Sequence, residues 1–243
     1  MKISKILIVL IVAFNLFSNI TYTQNKPDTS KSLNQEEKSI IAISALTAKG
    51  DLAKLKSELN AGLDAGLTIN EIKEVLVHLY AYAGFPRSLR GVQTFMQVLD
   101  ERKEKGKTDV VGKDASPISS DTSKYRRGKK ILADLTNTSP DAPITGYGVF
   151  APVVDTFLKE HLFADIFERD VLAYAQRELV TISVIAAIGS AEPMLKSHMG
   201  ISLNVGITPQ QLKDFTEIIT IKIGAAQGRA AKSVLAEVLK DRK

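Results

Sequence analysis

Residues 55–73 read LKSELNAGLDAGLTINEIK, and residues 195–213 read LKSHMGISLNVGITPQQLK. The two stretches align without a gap at an offset of 140 positions; Leu-Lys-Ser opens both, and a leucine, a glycine, a threonine and a lysine recur in step. Their periodicity is helical. Leu52, Leu55, Leu59 and Leu63 recur at spacings of three and four and form one apolar stripe. Gly66 closes that helix, and Thr68 followed three residues later by Glu71 is a capping box that opens the next. Upstream, Ala42-Ile43-Ser44 lies opposite Thr181-Ile182-Ser183 with a one-residue gap. A helical unit that occurs twice is an internal duplication, so the expected fold is all-α, two tandem helical repeats packed about a pseudo-two-fold.

Working outward, the helical pattern begins at Gln35, breaks at Gly50-Asp51 and runs on through Val75, Leu76, Leu79 and Ala83 to Gly84. Pro86 then fits the first turn of a helix carrying Val92, Phe95, Met96 and Leu99. Residues 106–123 are rich in Gly, Asp, Ser and Lys and contain Pro117, the composition of an exposed linker. This places the first repeat at 33–105 and the second at 124–243. In the second, helical patterning pauses over 137–148, returns over 149–167, and resumes over 177–188, about 194–204, 209–224 and 227–240. No segment alternates apolar and polar residues over strand length, so no sheet is expected.

The N-terminus carries Lys2 and Lys5 ahead of an apolar run from Ile6 to Phe17 broken only by Asn15, followed by the polar stretch Ser18–Gln24. That order matches a secretory signal peptide over residues 1–24. The run is shorter than the ~20 apolar residues of a membrane span. The expectation is an exported protein, periplasmic or secreted, with no stable membrane span after cleavage; an uncleaved anchor is the alternative. The 243 residues include 44% hydrophobic and 24% charged side chains, ordinary for a globular chain. The net charge of +5 is spread among interspersed acids and bases, with no basic patch interleaved with aromatics, so no nucleic-acid partner is expected. Cysteine is absent, which excludes disulfides and every thiol mechanism.

Three histidines are present, His78, His161 and His198. His161 follows Lys159-Glu160 on an amphipathic helix and reads as solvated. His78 sits in VLVHLYAYAGFP, either a satisfied core histidine or a pocket wall. His198 stands on the repeated helix where the first copy has Glu58. Glu178 lies near the start of the preceding, strongly apolar helix, from which a carboxylate can reach an antiparallel neighbour carrying His198. A Glu–His pair in an apolar pocket is a proton-transfer unit, since burial and mutual charge tune both groups; the plainer alternative makes Glu178 a first-turn acid favoured by the helix dipole. No metal-ligand spacing, nucleophile elbow, phosphate loop or dinucleotide fingerprint occurs, so neither a metal nor a cofactor is expected.

At these residues the sequence resembles the carboxymuconolactone decarboxylase family, which includes the alkylhydroperoxidase D-like proteins. The resemblance rests on AGLTINEIKEVLVHLYAYAGFPRSL at 65–89 and FADIFERDVLAYAQRELVTISVIAAIG at 163–189. It implies two tandem alkylhydroperoxidase D-like helical repeats and a homo-oligomer, a trimer of two-repeat chains. Peroxidase-type members carry Cys-x-x-Cys ahead of the histidine; here those positions are Ala191 and Met194, so that chemistry is unavailable. Decarboxylase-type members keep a histidine without the cysteines. The resemblance thus implies a cofactor-free lyase acting on a small carboxylated lactone or related acid, with His198 and Glu178 catalytic and Arg177 a candidate for holding the substrate carboxylate. In the first repeat the corresponding pair is Ser39 and Glu58, whereas only that repeat keeps the Tyr82–Pro86 turn. A composite pocket between unlike repeats, with His78 and Tyr82 among its substrate-binding residues, is the expected geometry. A non-catalytic exported scaffold or small-molecule binder is the alternative, and a hydrolase or isomerase using the same pair a third.

Overall fold

The computed structural model describes residues 31–118 and 121–242; the segment read as a signal peptide lies outside them. Among the described residues are eleven α-helices, one π-helix and no strand. In the first repeat these are α1 (Gln35–Lys49), α2 (Leu52–Asp64), α3 (Ile69–His78) and α4 (Tyr80–Glu104). The second begins with α5 (Lys124–Thr136), α6 (Tyr147–Phe150), α7 (Pro152–Phe157) and the π-helix Leu158–Phe167. It ends with α8 (Tyr174–Ile188), α9 (Glu192–Asn204), α10 (Pro209–Lys222) and α11 (Ala225–Lys240).

The duplication is visible in the helix ends. Thr68 caps α3 and Thr208 caps α10, each accepting from the backbone N–H three residues on, while Glu71 and Gln211 reach back to the cap. Asn34 and Glu37 do the same for α1, and Gly50, at φ 79°, closes it with a left-handed residue that favours glycine. Gly84 (φ 78°, ψ 163°) breaks α4. The turn Tyr80–Ala83 is thereby set apart from the long helix that Pro86 begins.

Helices α1 and α8 are duplicates of one another and form the centre. Every residue of α1 from Ser39 to Ala48 is buried, as is every residue of α8 from Arg177 to Ala187. A helix buried all round belongs in the middle of a bundle, and these two pack against each other. Around them α3 packs on α8 and α10 on α1, so each repeat lends its third helix to the other's centre. One hydrophobic core runs through both halves, from Leu33 to Val238. A smaller cluster of Ile131, Leu135, Leu162, Phe163, Ile166, Phe167 and Ile201 joins α5 and the π-helix to α9.

Three segments differ from the sequence expectation. The helix expected over 149–167 is interrupted at Ala151 (φ −133°, ψ 77°), since a residue before proline is pushed out of the helical region by Pro152. Beyond Phe157 the turns widen to a π-helix; Leu158, Leu162, Phe163, Ile166 and Phe167 suit either period, so their spacing does not distinguish the two. Helix α8 starts at Tyr174 rather than Arg177, because the Gln176 side chain accepts the Ala173 N–H in place of a conventional capping residue. The segment 106–118 is exposed, as a linker should be, yet pinned. Val110 and Val111 carbonyls accept the first backbone N–H groups of α3, and Ser116 donates both its N–H and its hydroxyl to Asp170. Those two bonds draw the Asp170 carboxyl down to about 2.

Candidate active site

His198 Nδ1 and Glu178 Oε2 are 2.9 Å apart, joining the middle of α9 to the second turn of α8. Glu178 has no solvent exposure, while the His198 side chain keeps 16%. Holding the imidazole at Nδ1 leaves Nε2 as the outer nitrogen, the atom available to a bound molecule. Glu178 stands on a buried face of a buried helix, not in an exposed first turn, which disposes of the helix-dipole alternative for its presence.

The first repeat supplies the rest of the site. Tyr82, on the turn created by Gly84, sets its ring edge-on to His198, with centroids 6.0 Å apart and planes at 84°. Its other neighbour is His78, 5.6 Å away and tilted by 30°, and the edge of Phe167 packs on His78 at 4.9 Å. The expected substrate-facing residues Tyr82 and His78 therefore meet the expected catalytic pair across the repeat boundary. Burial pushes the Tyr82 phenol up, and the Glu178 carboxylate adds to that. The hydroxyl remains protonated at any working pH.

His78 is a satisfied core histidine with a readable tautomer. Arg177 Nη1 donates to His78 Nδ1 (3.2 Å), His78 Nε2 donates to Thr181 Oγ1 (2.9 Å), and Thr181 donates to the Arg177 carbonyl (3.0 Å). This chain of donors closes only with a neutral ring. Burial, followed by the Arg177 charge and then His198, holds the His78 pKa well below the ordinary histidine value.

Arg177, expected to hold a substrate carboxylate, is fully buried, and the two terminal nitrogens of its guanidinium are committed to protein partners. Nη2 donates to Glu74 Oε1 (2.9 Å) and to the Arg169 carbonyl (2.6 Å). Arg169 grips the same carboxylate through Nε (2.7 Å) and Nη2 (3.0 Å). Burial raises the Glu74 carboxyl, but the two arginines outweigh it and the net direction is downward. For Arg177, burial dominates and lowers the guanidinium. Arg177 thus spends Nη1 and Nη2 on protein partners and keeps only Nε unpaired. Glu74, Arg169 and Thr181 were not singled out from sequence, although Glu74 and His78 share one helix face at a spacing of four, as do Arg177 and Thr181.

Among the described residues, three buried side-chain polar atoms have no hydrogen-bond partner: Tyr82 Oη, Arg177 Nε and Glu178 Oε1. All three belong to this cluster. Buried polar atoms are nearly always paired, and unpaired ones gathered at one place mark the groups a ligand would satisfy. His161 lies apart, half exposed and 3.2 Å from Asp165. No group of three or more His, Asp or Glu residues among the described ones has metal-holding geometry. Neither Ala191 nor Met194 offers a thiol beside His198.

The chain resembles curated proteins at low identity. It is 25% identical over 122 residues to the 4-carboxymuconolactone decarboxylase of Acinetobacter baylyi, covering 50% of this chain and 90% of that protein. An uncharacterised protein of Methanocaldococcus jannaschii is 22% identical over 86 residues, 35% of this chain and 80% of its own. The family match itself occurs twice, at residues 18–95 and 152–237, and together these cover more than half of the sequence. With two matched copies on one all-α frame, the chain belongs to the carboxymuconolactone decarboxylase family.

Proposed function

We propose that the chain is a cofactor-free carboxy-lyase acting on a small carboxylated lactone or related unsaturated acid, with one active site built between unlike repeats. The observation that carries this is the convergence of Tyr82 Oη and Glu178 Oε1, both buried and unpartnered, beside the outward edge of His198. In the reaction the bond between the carboxylate carbon and the ring breaks and carbon dioxide leaves. Its electron pair passes into the conjugated carbonyl system of the substrate, which is its own electron sink. His198 Nε2 then delivers a proton to the ring carbon, and solvent returns one to the imidazole. Electrons and charge balance with no oxidant. Glu178 fixes the imidazole at Nδ1. Tyr82 donates to the developing enolate oxygen, a role that fits a phenol held protonated. Arg177, His78, Thr181 and Glu74 position this group from behind.

The likeness to a 4-carboxymuconolactone decarboxylase supports the reaction class, and the missing cysteines exclude the thiol peroxidase alternative. The test is carbon dioxide release by the purified protein from 4-carboxymuconolactone and related carboxylated lactones, beside His198→Ala. Release that falls with the variant supports the lyase; release from none of them, or equal release by the variant, leaves a scaffold or binder.

Self-association is part of the same proposal, with repeats at 33–105 and 124–243 pairing into a trimer of chains. Tyr147, Val149, Phe150, Val153 and Phe157 on α6 and α7 are mostly exposed, Phe150 at 92%, and contiguous apolar exposure of this kind accompanies association. Export rests on the leader-like N-terminus; no helix of the described residues is long and apolar enough to cross a membrane.

A further inference from the structure

The duplication that builds the His198 site also builds its mirror image. Carrying each site residue back by 139 positions on the central helix and 140 elsewhere turns Arg177, Glu178 and Thr181 into Lys38, Ser39 and Ala42. His198 becomes Glu58, and His78 and Tyr82, carried forward, become Ile218 and Lys222. These six residues line one cavity of about 670 Å³ between α1, α2 and α10. The sequence alone suggests a degenerate copy; the structure keeps it open and gives it different chemistry.

Three features define what it accepts. Lys38, half-buried at the wall, forms no ion pair among the described residues, unlike its counterpart Arg177, which is paired with Glu74. Lys222 crosses the repeat boundary to Glu58 at 2.6 Å, taking the place of Tyr82 and bringing a second ammonium to the opening. Ser39, only 8% exposed, lines the cavity with a hydroxyl that makes no hydrogen bond among the described residues. The cavity thus offers two ammonium groups and a hydroxyl donor against two carboxylates, Glu58 paired with Lys222 and Asp64 already neutralised from outside the lining by Arg102 and Lys107, so it has donors to spare for an anion. Ala42, Ala61, Ala65 and Ile218 supply an apolar wall. No imidazole is present to move a proton.

We infer that this cavity is a second, non-catalytic site that binds a small organic carboxylate, its acid group held by Lys38 and Ser39 with Lys222 alongside, and its hydrocarbon part on the alanine–isoleucine wall. It stands independently of any reaction at His198. A charge-assisted hydrogen bond to a carboxylate gives Lys38 a measurable share of the affinity.

Benzoate and adipate serve as probes in ligand-observed NMR titrations on the full protein, with no turnover required. The expected result is saturable binding of at least one probe, weakened about ten-fold in Lys38→Met and unchanged in His198→Ala. Lys38→Met leaves the Glu58–Lys222 pair in place, and an unchanged melting temperature certifies its fold; should it fail to fold, Ser39→Ala is expected to weaken binding in its stead. Absence of saturable binding for both probes overturns the inference, as does binding lost in His198→Ala but retained in the folded Lys38→Met and Ser39→Ala proteins.

Discussion

The ion cluster behind the site makes an asymmetric prediction. Glu74, from the first repeat, is gripped by two arginines of the second, and its side chain is 4% exposed. Glu74→Gln removes the only carboxylate that contacts Arg177, leaving a guanidinium with no exposure and no counter-charge. Stranding a buried charge in this way costs about 3–5 kcal/mol, and the low end applies because the glutamine carbonyl still accepts one bond. Arg177→Met differs. Glu74 keeps its two-point contact with Arg169, which is 36% exposed, and the losses are the bonds to Glu74 Oε1, His78 Nδ1 and the Arg169 carbonyl. Three such bonds come to about 1.5–4.5 kcal/mol, offset in large part because burial of the guanidinium no longer has to be compensated. Glu74→Gln should therefore be the more damaging substitution, with a melting temperature lowered by roughly 6–12 °C. Urea denaturation followed by helical circular dichroism measures both, with equal slopes required for the comparison. The reasoning is refuted if Arg177→Met proves equally or more destabilising, or if Glu74→Gln costs under about 1 kcal/mol.

Three further outcomes follow from the same geometry. Because His78 is held neutral, the unfolded chain binds a proton that the native one refuses once pH falls below about 6.5; this contribution to stability is complete above that value and is lost at up to about 1.4 kcal/mol per pH unit on acidification. His78→Gln should flatten the slope between pH 6.5 and 5 in urea melts, whereas an unaltered slope would mean that the ring titrates freely. Tyr82→Phe removes a buried hydroxyl without a partner, so it should leave stability unchanged or raise it by about 1 kcal/mol while slowing turnover at least ten-fold; a stability loss with full activity would show the phenol to be structural. Gly128→Ala would drive its Cβ into the Lys159 carbonyl where α5 crosses the π-helix, and thermal denaturation should reveal a loss of about 1–3 kcal/mol.

The helical class, the duplication, the capping box at Thr68 and the Glu178–His198 proximity were legible in the sequence because each is a local or periodic signal. The 140-residue offset paired the right segments, and an acid near the start of one helix opposite a histidine on its antiparallel neighbour had few places to go. The commitment of Arg177 was not legible. Its partners Glu74, Arg169 and His78 come from three separate segments, and nothing local tells an arginine that faces a ligand from one that neutralises a buried acid. The π-helix escaped because ten residues with apolar side chains at Leu158, Leu162, Phe163, Ile166 and Phe167 fit two periods. The exposure of the linker at 106–118 is legible in its composition, but its anchoring by backbone bonds to α3 leaves no mark there.

The central claim is that Glu178 and His198 act as one proton-transfer unit, and a kinetic double-variant cycle tests it most directly. Initial rates of carbon dioxide release would be compared for the unaltered protein, Glu178→Gln, His198→Ala and the combined variant, each shown to be folded by circular dichroism. Each single substitution should slow the reaction by about 10²–10⁴-fold, and the combined variant should be no slower than the slower single one, since a broken unit cannot be broken twice. Single variants that react at the unaltered rate, or losses that multiply in the combined variant, would contradict it.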